Sequence, residues 1–103
     1  MRFALIEDQA EERKRIDDML SEFCRERMIS FTTDVFTSGE EFLAAFVPMN
    51  YDVVFMDIYM DGMTGIEAAK QMRTQDSHSF LVFLTTSRNT WGRPFPPTLL
   101  IIS

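Results

Sequence analysis

A chain of 103 residues, 46% hydrophobic and 25% charged, can bury one modest core, which excludes a disordered segment and argues for a single globular domain. The formal net charge of −6 argues against a nucleic-acid-binding surface on this segment, because phosphate contacts need clustered Lys and Arg. The single cysteine, Cys24, has no internal disulfide partner, which fits a reducing cytoplasm; no apolar run reaches membrane-spanning length, and the opening residues read as a strand rather than a signal peptide.

Phe3 to Ile6 form a short apolar strand that runs directly into Glu7 and Asp8. From Gln9 to about Arg27, Ile16, Met19, Leu20 and Phe23 recur at the i, i+3, i+4, i+7 spacing of an amphipathic helix. Asp8 with Glu11 reads as a capping box for that helix, which accounts for Asp8 but not for Glu7. Ile29 to Phe36 is rich in β-formers and reads as the second strand. Ser38 with Glu41 opens a short helix through Phe42, Leu43 and Phe46, which Pro48 stops.

The central strand, Tyr51 to Met56, carries the unbroken apolar run Val53, Val54, Phe55 and Met56, the pattern of a strand buried on both faces of a parallel sheet. It closes on Asp57, and a loop with Gly62 and Gly65 follows. Thr64 with Glu67 caps the next helix, whose Ile66, Ala69 and Met72 are expected to face inward. His78, between Ser77 and Ser79, reads as a solvated loop residue with no role. Ser79 to Thr85 forms a fourth, almost wholly apolar strand. The series β-α-β-α-β-α-β has no internal repeat and predicts a doubly wound α/β fold.

In open α/β sheets, ligands bind outside the carboxyl ends of the strands. If the first and third strands are parallel neighbours, Glu7, Asp8 and Asp57 meet there. Three close carboxylates repel and raise one another's pKa unless a cation neutralises them. Magnesium suits such a site, since it takes a few carboxylate oxygens, keeps several waters and often bridges to phosphate.

The acidic pair after the first strand, the loop Asp57-Ile-Tyr-Met-Asp-Gly-Met-Thr-Gly after the third and Thr85 after the fourth together resemble the CheY-like receiver domain of a two-component response regulator. The details look most like regulators with a LytTR-type DNA-binding output. The resemblance covers roughly residues 1 to 88 and implies a flavodoxin-like sheet of order 2-1-3-4-5. It implies that Asp57 accepts a phosphoryl group from a sensor histidine kinase, that Glu7, Asp8, Asp57 and the carbonyl of Tyr59 hold Mg2+, and that Thr85 contacts the phosphoryl group. Such a domain is a signalling switch rather than a turnover enzyme, cytoplasmic, with no nucleic-acid or membrane contact of its own and an output domain elsewhere in the intact protein.

The chain departs from that pattern in three places. Asp61 stands where the family usually has Pro, and Tyr59 overhangs the expected site. From Asn89 onward, Pro94, Pro96 and Pro97 interrupt a tail without helical periodicity, where the family would have a fourth helix, a fifth strand ending in Lys-Pro and a last helix. The only lysines are Lys14 and Lys70, so the Lys expected near the phosphoryl group is absent. One extra base before the Asn89 codon yields codon sets that admit the family's fifth strand, so residues 89-103 read as a frameshifted tail with a surrogate strand at 98-102. Losing the native strand should expose Phe80 to Leu84 as an apolar edge, which predicts a dimer or higher oligomer through that edge or an exchanged tail.

Two rival readings carry different expectations. A haloacid-dehalogenase-like phosphotransferase also places a nucleophilic Asp after a strand, but it requires a second Asp two residues on, where Tyr59 stands. A phosphorylation-incompetent interaction module keeps the acidic cluster without transferring phosphate.

Overall fold

The structure, a computed structural model, describes residues 1-60, 62-85 and 98-102, with the backbone alone at Thr85 and 98-102. The expectations placed on Asp61 and on the proline-rich stretch lie outside the described residues.

Strands β1 (Arg2–Ile6), β2 (Thr32–Phe36), β3 (Val53–Asp57) and β4 (Phe80–Thr85) are all parallel and stand in the order β2-β1-β3-β4. They alternate with helices α1 (Ala10–Glu26), α2 (Gly39–Ala45) and α3 (Gly65–Arg73). This is the doubly wound arrangement that the alternating pattern predicts. A fifth strand, β5 (Thr98–Ile102), pairs antiparallel with β4 from Leu81↔Ile102 to Thr85↔Thr98. The apolar β4 edge expected from the sequence is therefore covered within the chain, and β2 and β5 form the outer edges of the sheet.

Apolar runs become two cores because side chains alternate across a strand. Phe3, Leu5, Phe55, Val82 and Leu84 face one side and pack with Ile16, Leu20 and Cys24 of α1. Ala4, Ile6, Val54, Met56, Leu81 and Phe83 face the other, against Phe42, Ala68, Ala69 and Met72 of α2 and α3. Phe42 is fully buried, with ring centroids 5.4 Å from Phe36 and 5.3 Å from Phe46.

The inward faces of two helices differ from the periodic reading. On α1 the buried stripe is Ile16, Leu20 and Cys24, while Met19 and Phe23 are exposed. Phe23 instead offers its ring to the Arg27 guanidinium, 3.7 Å above the centroid. On α3, Ala68, Ala69 and Met72 are buried and Ile66 is exposed. On both helices the line of contact with the sheet is narrower than the apolar stripe.

The two caps following β2 and β3 form as expected, with Ser38 Oγ accepting from Glu41 N–H at 3.0 Å and Thr64 Oγ1 from Glu67 N–H at 3.2 Å. The N-cap of α1 is Gln9, one residue past Asp8, and the Gln9 side chain makes no cap hydrogen bond.

At the amino end of the sheet, opposite charges are paired. Arg2 contacts Asp34 at 3.4 Å and donates to the Asn50 side chain, and Tyr51 Oη donates to Asp34 at 2.8 Å. The carboxyl end gathers acids instead.

Candidate phosphoacceptor site

Strand register alone brings the acidic residues together. Ile6 pairs with Met56, so Glu7 and Asp57, each one residue further on, leave the sheet side by side. Asp57 in turn pairs with Leu84, which puts the Thr85 backbone one step past it on the same edge. One carboxylate oxygen each from Glu7, Asp8 and Asp57 lies within 4.8 Å of the others. Glu7 and Asp57 are fully buried and Asp8 is half-buried.

Backbone bonds hold these groups at the edge. Glu7 N–H donates to the Phe36 carbonyl at 3.0 Å, and Ile58 N–H to the Leu84 carbonyl at 3.1 Å. The β1–α1 turn is fixed by Gln9 N–H on Glu7 Oε1 at 3.1 Å and by Arg13 Nη1 on the Glu7 carbonyl at 2.8 Å. Tyr59 N–H donates to Asp57 Oδ1 at 3.2 Å, starting the loop in a tight turn, while the Tyr59 side chain is 62% exposed.

The far end of that loop presses on Asp57. Gly65 N–H donates to the Ile58 carbonyl at 3.1 Å, and a Cβ added at Gly65 would lie 2.0 Å from the Asp57 carbonyl oxygen. Only glycine permits α3 to start so close to the strand.

Burial pushes the Glu7 carboxyl up to about 9; the nearby Asp57 charge adds to the rise, and the Gln9 N–H opposes it. Its Oε2 is buried without a backbone or basic side-chain donor. Three hard oxygen donors at this spacing, two of them fully buried, fit a small divalent cation, which would supply the positive charge that the cluster needs.

Every described residue of the expected site therefore lies at one sheet edge: the side chains of Glu7, Asp8 and Asp57, the turn at Tyr59 and the backbone of Thr85. Sequence reasoning missed Arg13, which fastens the β1–α1 turn, and Glu40 of α2, whose Oε1 accepts from Met63 N–H in the β3–α3 loop at 2.8 Å. A helix charge reaching a distant loop leaves no local sequence signature.

A doubly wound sheet with buried carboxylates at its carboxyl edge defines a class of α/β proteins whose chemistry sits at that edge. Residues 3–91 match the model of the response regulator receiver domain, and the chain belongs to that family. Over 56 residues, 53% of this chain, it is 32% identical to the Sensory transduction protein LytT of Oceanobacillus iheyensis, and the match spans 23% of that protein.

Among solved structures, one of the histidine kinase ThkA in complex with the response regulator protein TrrA of Thermotoga maritima matches with TM-score 0.69 and 27% identity, over 89% of this chain and 74% of that one. TrrA in complex with Mg2+ and BeF matches with TM-score 0.65 and 28% identity, over 78% of this chain and 64% of that one. The Vibrio cholerae chemotaxis protein CheY4, with TM-score 0.61 and 21% identity over 87% of this chain and 72% of that one, shares the fold. The chain thus spans about a quarter of the curated relative's length and under two thirds of the Mg2+-bound TrrA chain. No helix among the described residues is long and apolar enough to cross a membrane.

Proposed function

We propose that this receiver domain is a phosphoacceptor switch, in which Asp57 takes a phosphoryl group from a sensor histidine kinase. The observation that carries the reading is the gathering of Glu7, Asp8 and Asp57 within 4.8 Å at the carboxyl edge of a receiver sheet. The likeness to a TrrA structure with Mg2+ and BeF, and to one of TrrA with a histidine kinase, supports the metal and the partner.

An Asp57 carboxylate oxygen attacks phosphorus, the bond from phosphorus to the donor's nitrogen or oxygen breaks in line, and an acyl phosphate forms on Asp57. Glu7, Asp8, Asp57 and the Tyr59 carbonyl would hold Mg2+, which would supply positive charge to offset that on the transferring group. The Thr85 hydroxyl then donates to a phosphoryl oxygen, converting a local charge change into a loop movement. The output in the intact protein is DNA binding by another domain, the setting is the cytoplasm and the domain does not turn over substrate.

Residues 1-88 act as the receiver and 89-103 as a replaced tail, with β5 standing where the family has its parallel fifth strand. Exchange of β5 between two copies would preserve the β4–β5 pairing and give a dimer. Light scattering with and without residues 94-103 checks this, and monomers in both forms at high concentration would refute it.

Incubation with acetyl phosphate and Mg2+ should add one phosphoryl mass that is acid-stable, base-labile and lost in Asp57→Ala. Persistence of that mass in the variant would overturn the assignment. A second reading, a module that keeps the cluster but retains phosphate poorly, is favoured by one observation: Lys14 and Lys70 lie on α1 and α3, and the chain has no other lysine. A short phosphoryl lifetime with normal Mg2+ binding distinguishes it.

A further inference from the structure

The loop from Asp57 to Gly65 carries the proposed phosphoacceptor at one end and the Tyr59 carbonyl two residues on. Its start is tied by Ile58 N–H on Leu84 and Tyr59 N–H on Asp57, and its end by Gly65 N–H on Ile58. Between those ties, the described hydrogen bond that reaches another element is the one from Met63 N–H to Glu40 Oε1. Glu40 lies in the first turn of α2.

The contact is shaped as well as charged. Gly62 has φ +80, and a Cβ there would come 3.0 Å from Glu40 Oε1. The glycine therefore lets the backbone take a left-handed turn and leaves the space that the carboxylate fills. Met63 completes the junction, since its Sδ would lie 3.4 Å from a Cβ at Gly39 and its side chain packs on the core. A charge-assisted bond to a backbone N–H is stronger and shorter than a neutral one, so this link sets where the middle of the loop sits.

We propose that Glu40 is a positioning residue of the acidic site: through Met63 it clamps the β3–α3 loop to α2 and so sets the place of the Tyr59 carbonyl relative to Asp57 and Glu7. The inference rests on the metal-site reading above. It assigns no contact between Glu40 and metal or phosphate, and its effect passes through the loop backbone. It also links α2 to the site, because any shift of that helix pulls on Met63.

The test compares wild type, Glu40→Gln, Glu40→Ala and Gly62→Ala in the full chain, by amide exchange at Met63 and by Mg2+ titration. In Glu40→Ala, Met63 exchange should quicken and the Mg2+ Kd should rise, each about tenfold. Glu40→Gln keeps an oxygen acceptor and should stay within about threefold of wild type. Gly62→Ala displaces the carboxylate and should resemble Glu40→Ala, and the two changes together should cost less than their sum.

Wild-type exchange and Mg2+ affinity in Glu40→Ala would overturn the proposal. So would faster exchange spread equally over β1 amides, which would mean general destabilisation. If no form binds Mg2+ while Met63 alone exchanges faster in Glu40→Ala, the clamp stands and the metal-site reading falls.

Discussion

Gly65→Ala should destabilise the chain by about 3 kcal/mol or more and abolish the proposed Mg2+ binding, although residue 65 presents no functional group. The new Cβ would fall 2.0 Å from the Asp57 carbonyl oxygen, 2.8 Å from its carbon and 2.9 Å from Ile58 Cα. All three are backbone atoms of the strand end or the residue after it, so no side chain can swing aside. Relief requires α3 to retreat, which breaks the bond from Gly65 N–H to Ile58 and moves Asp57 away from Glu7. Gly39→Ala is the informative contrast. Its Cβ meets Ala68 Cβ at 3.1 Å and gains helix propensity, so the net change should stay within about 1 kcal/mol. Urea unfolding of both variants checks the pair; equal effects would mean that the approach of α3 to Asp57 is not the constraint.

The sheet and the acidic edge were legible because strands buried on both faces are written as unbroken apolar runs, and each run ends in a residue that breaks the pattern. Phe3 to Ile6 ends in Glu7, and Val53 to Met56 ends in Asp57. Two parallel runs so terminated place their carboxylates side by side whatever the helices do. The helix faces were less legible. Met19 and Phe23 satisfy the period as well as Ile16 and Leu20 do, but the sheet accepts the narrow line that ends at Cys24. Spacing identifies a helix, whereas the face it buries depends on the shape of its partner. Asp8 illustrates the same limit, since a capping box can be written one residue before the position where the helix takes its cap, Gln9. The antiparallel direction of β5 was not legible either, because an apolar five-residue run carries no sign of orientation.

Asp76 was also missed, and its removal should have an effect as large as that of Gly65→Ala. It is only 3% exposed, and its carboxylate gathers donors from two loops. Met49 N–H lies 2.9 Å from Oδ2, His78 N–H 2.7 Å and Ser79 N–H 3.2 Å from Oδ1, and Ser79 Oγ 2.9 Å from Oδ2. Met49 holds φ 68, a left-handed turn that this bond helps to fix. The α2–β3 connection is thereby fastened to the start of β4, so the register that sets Asp57 beside Leu84 begins at Asp76.

Asp76→Ala orphans several buried donors at once and should cost about 3 kcal/mol; Asp76→Asn, which keeps one acceptor oxygen, should cost less. The pH dependence has a definite sign. Burial raises the Asp76 carboxyl, but the donors from Met49, His78 and Ser79 outweigh it and hold the group at about 2, below its ordinary 3.8. A depressed carboxyl stabilises fully above its unfolded value and loses that contribution as the pH falls through its folded one. The stability difference between wild type and Asp76→Ala should therefore be constant above about pH 5 and shrink as the pH falls through 3.8 toward 2. Urea midpoints of the two proteins at matched pH measure it, and a difference that persists undiminished at pH 2 would show that the Asp76 charge contributes nothing to the fold.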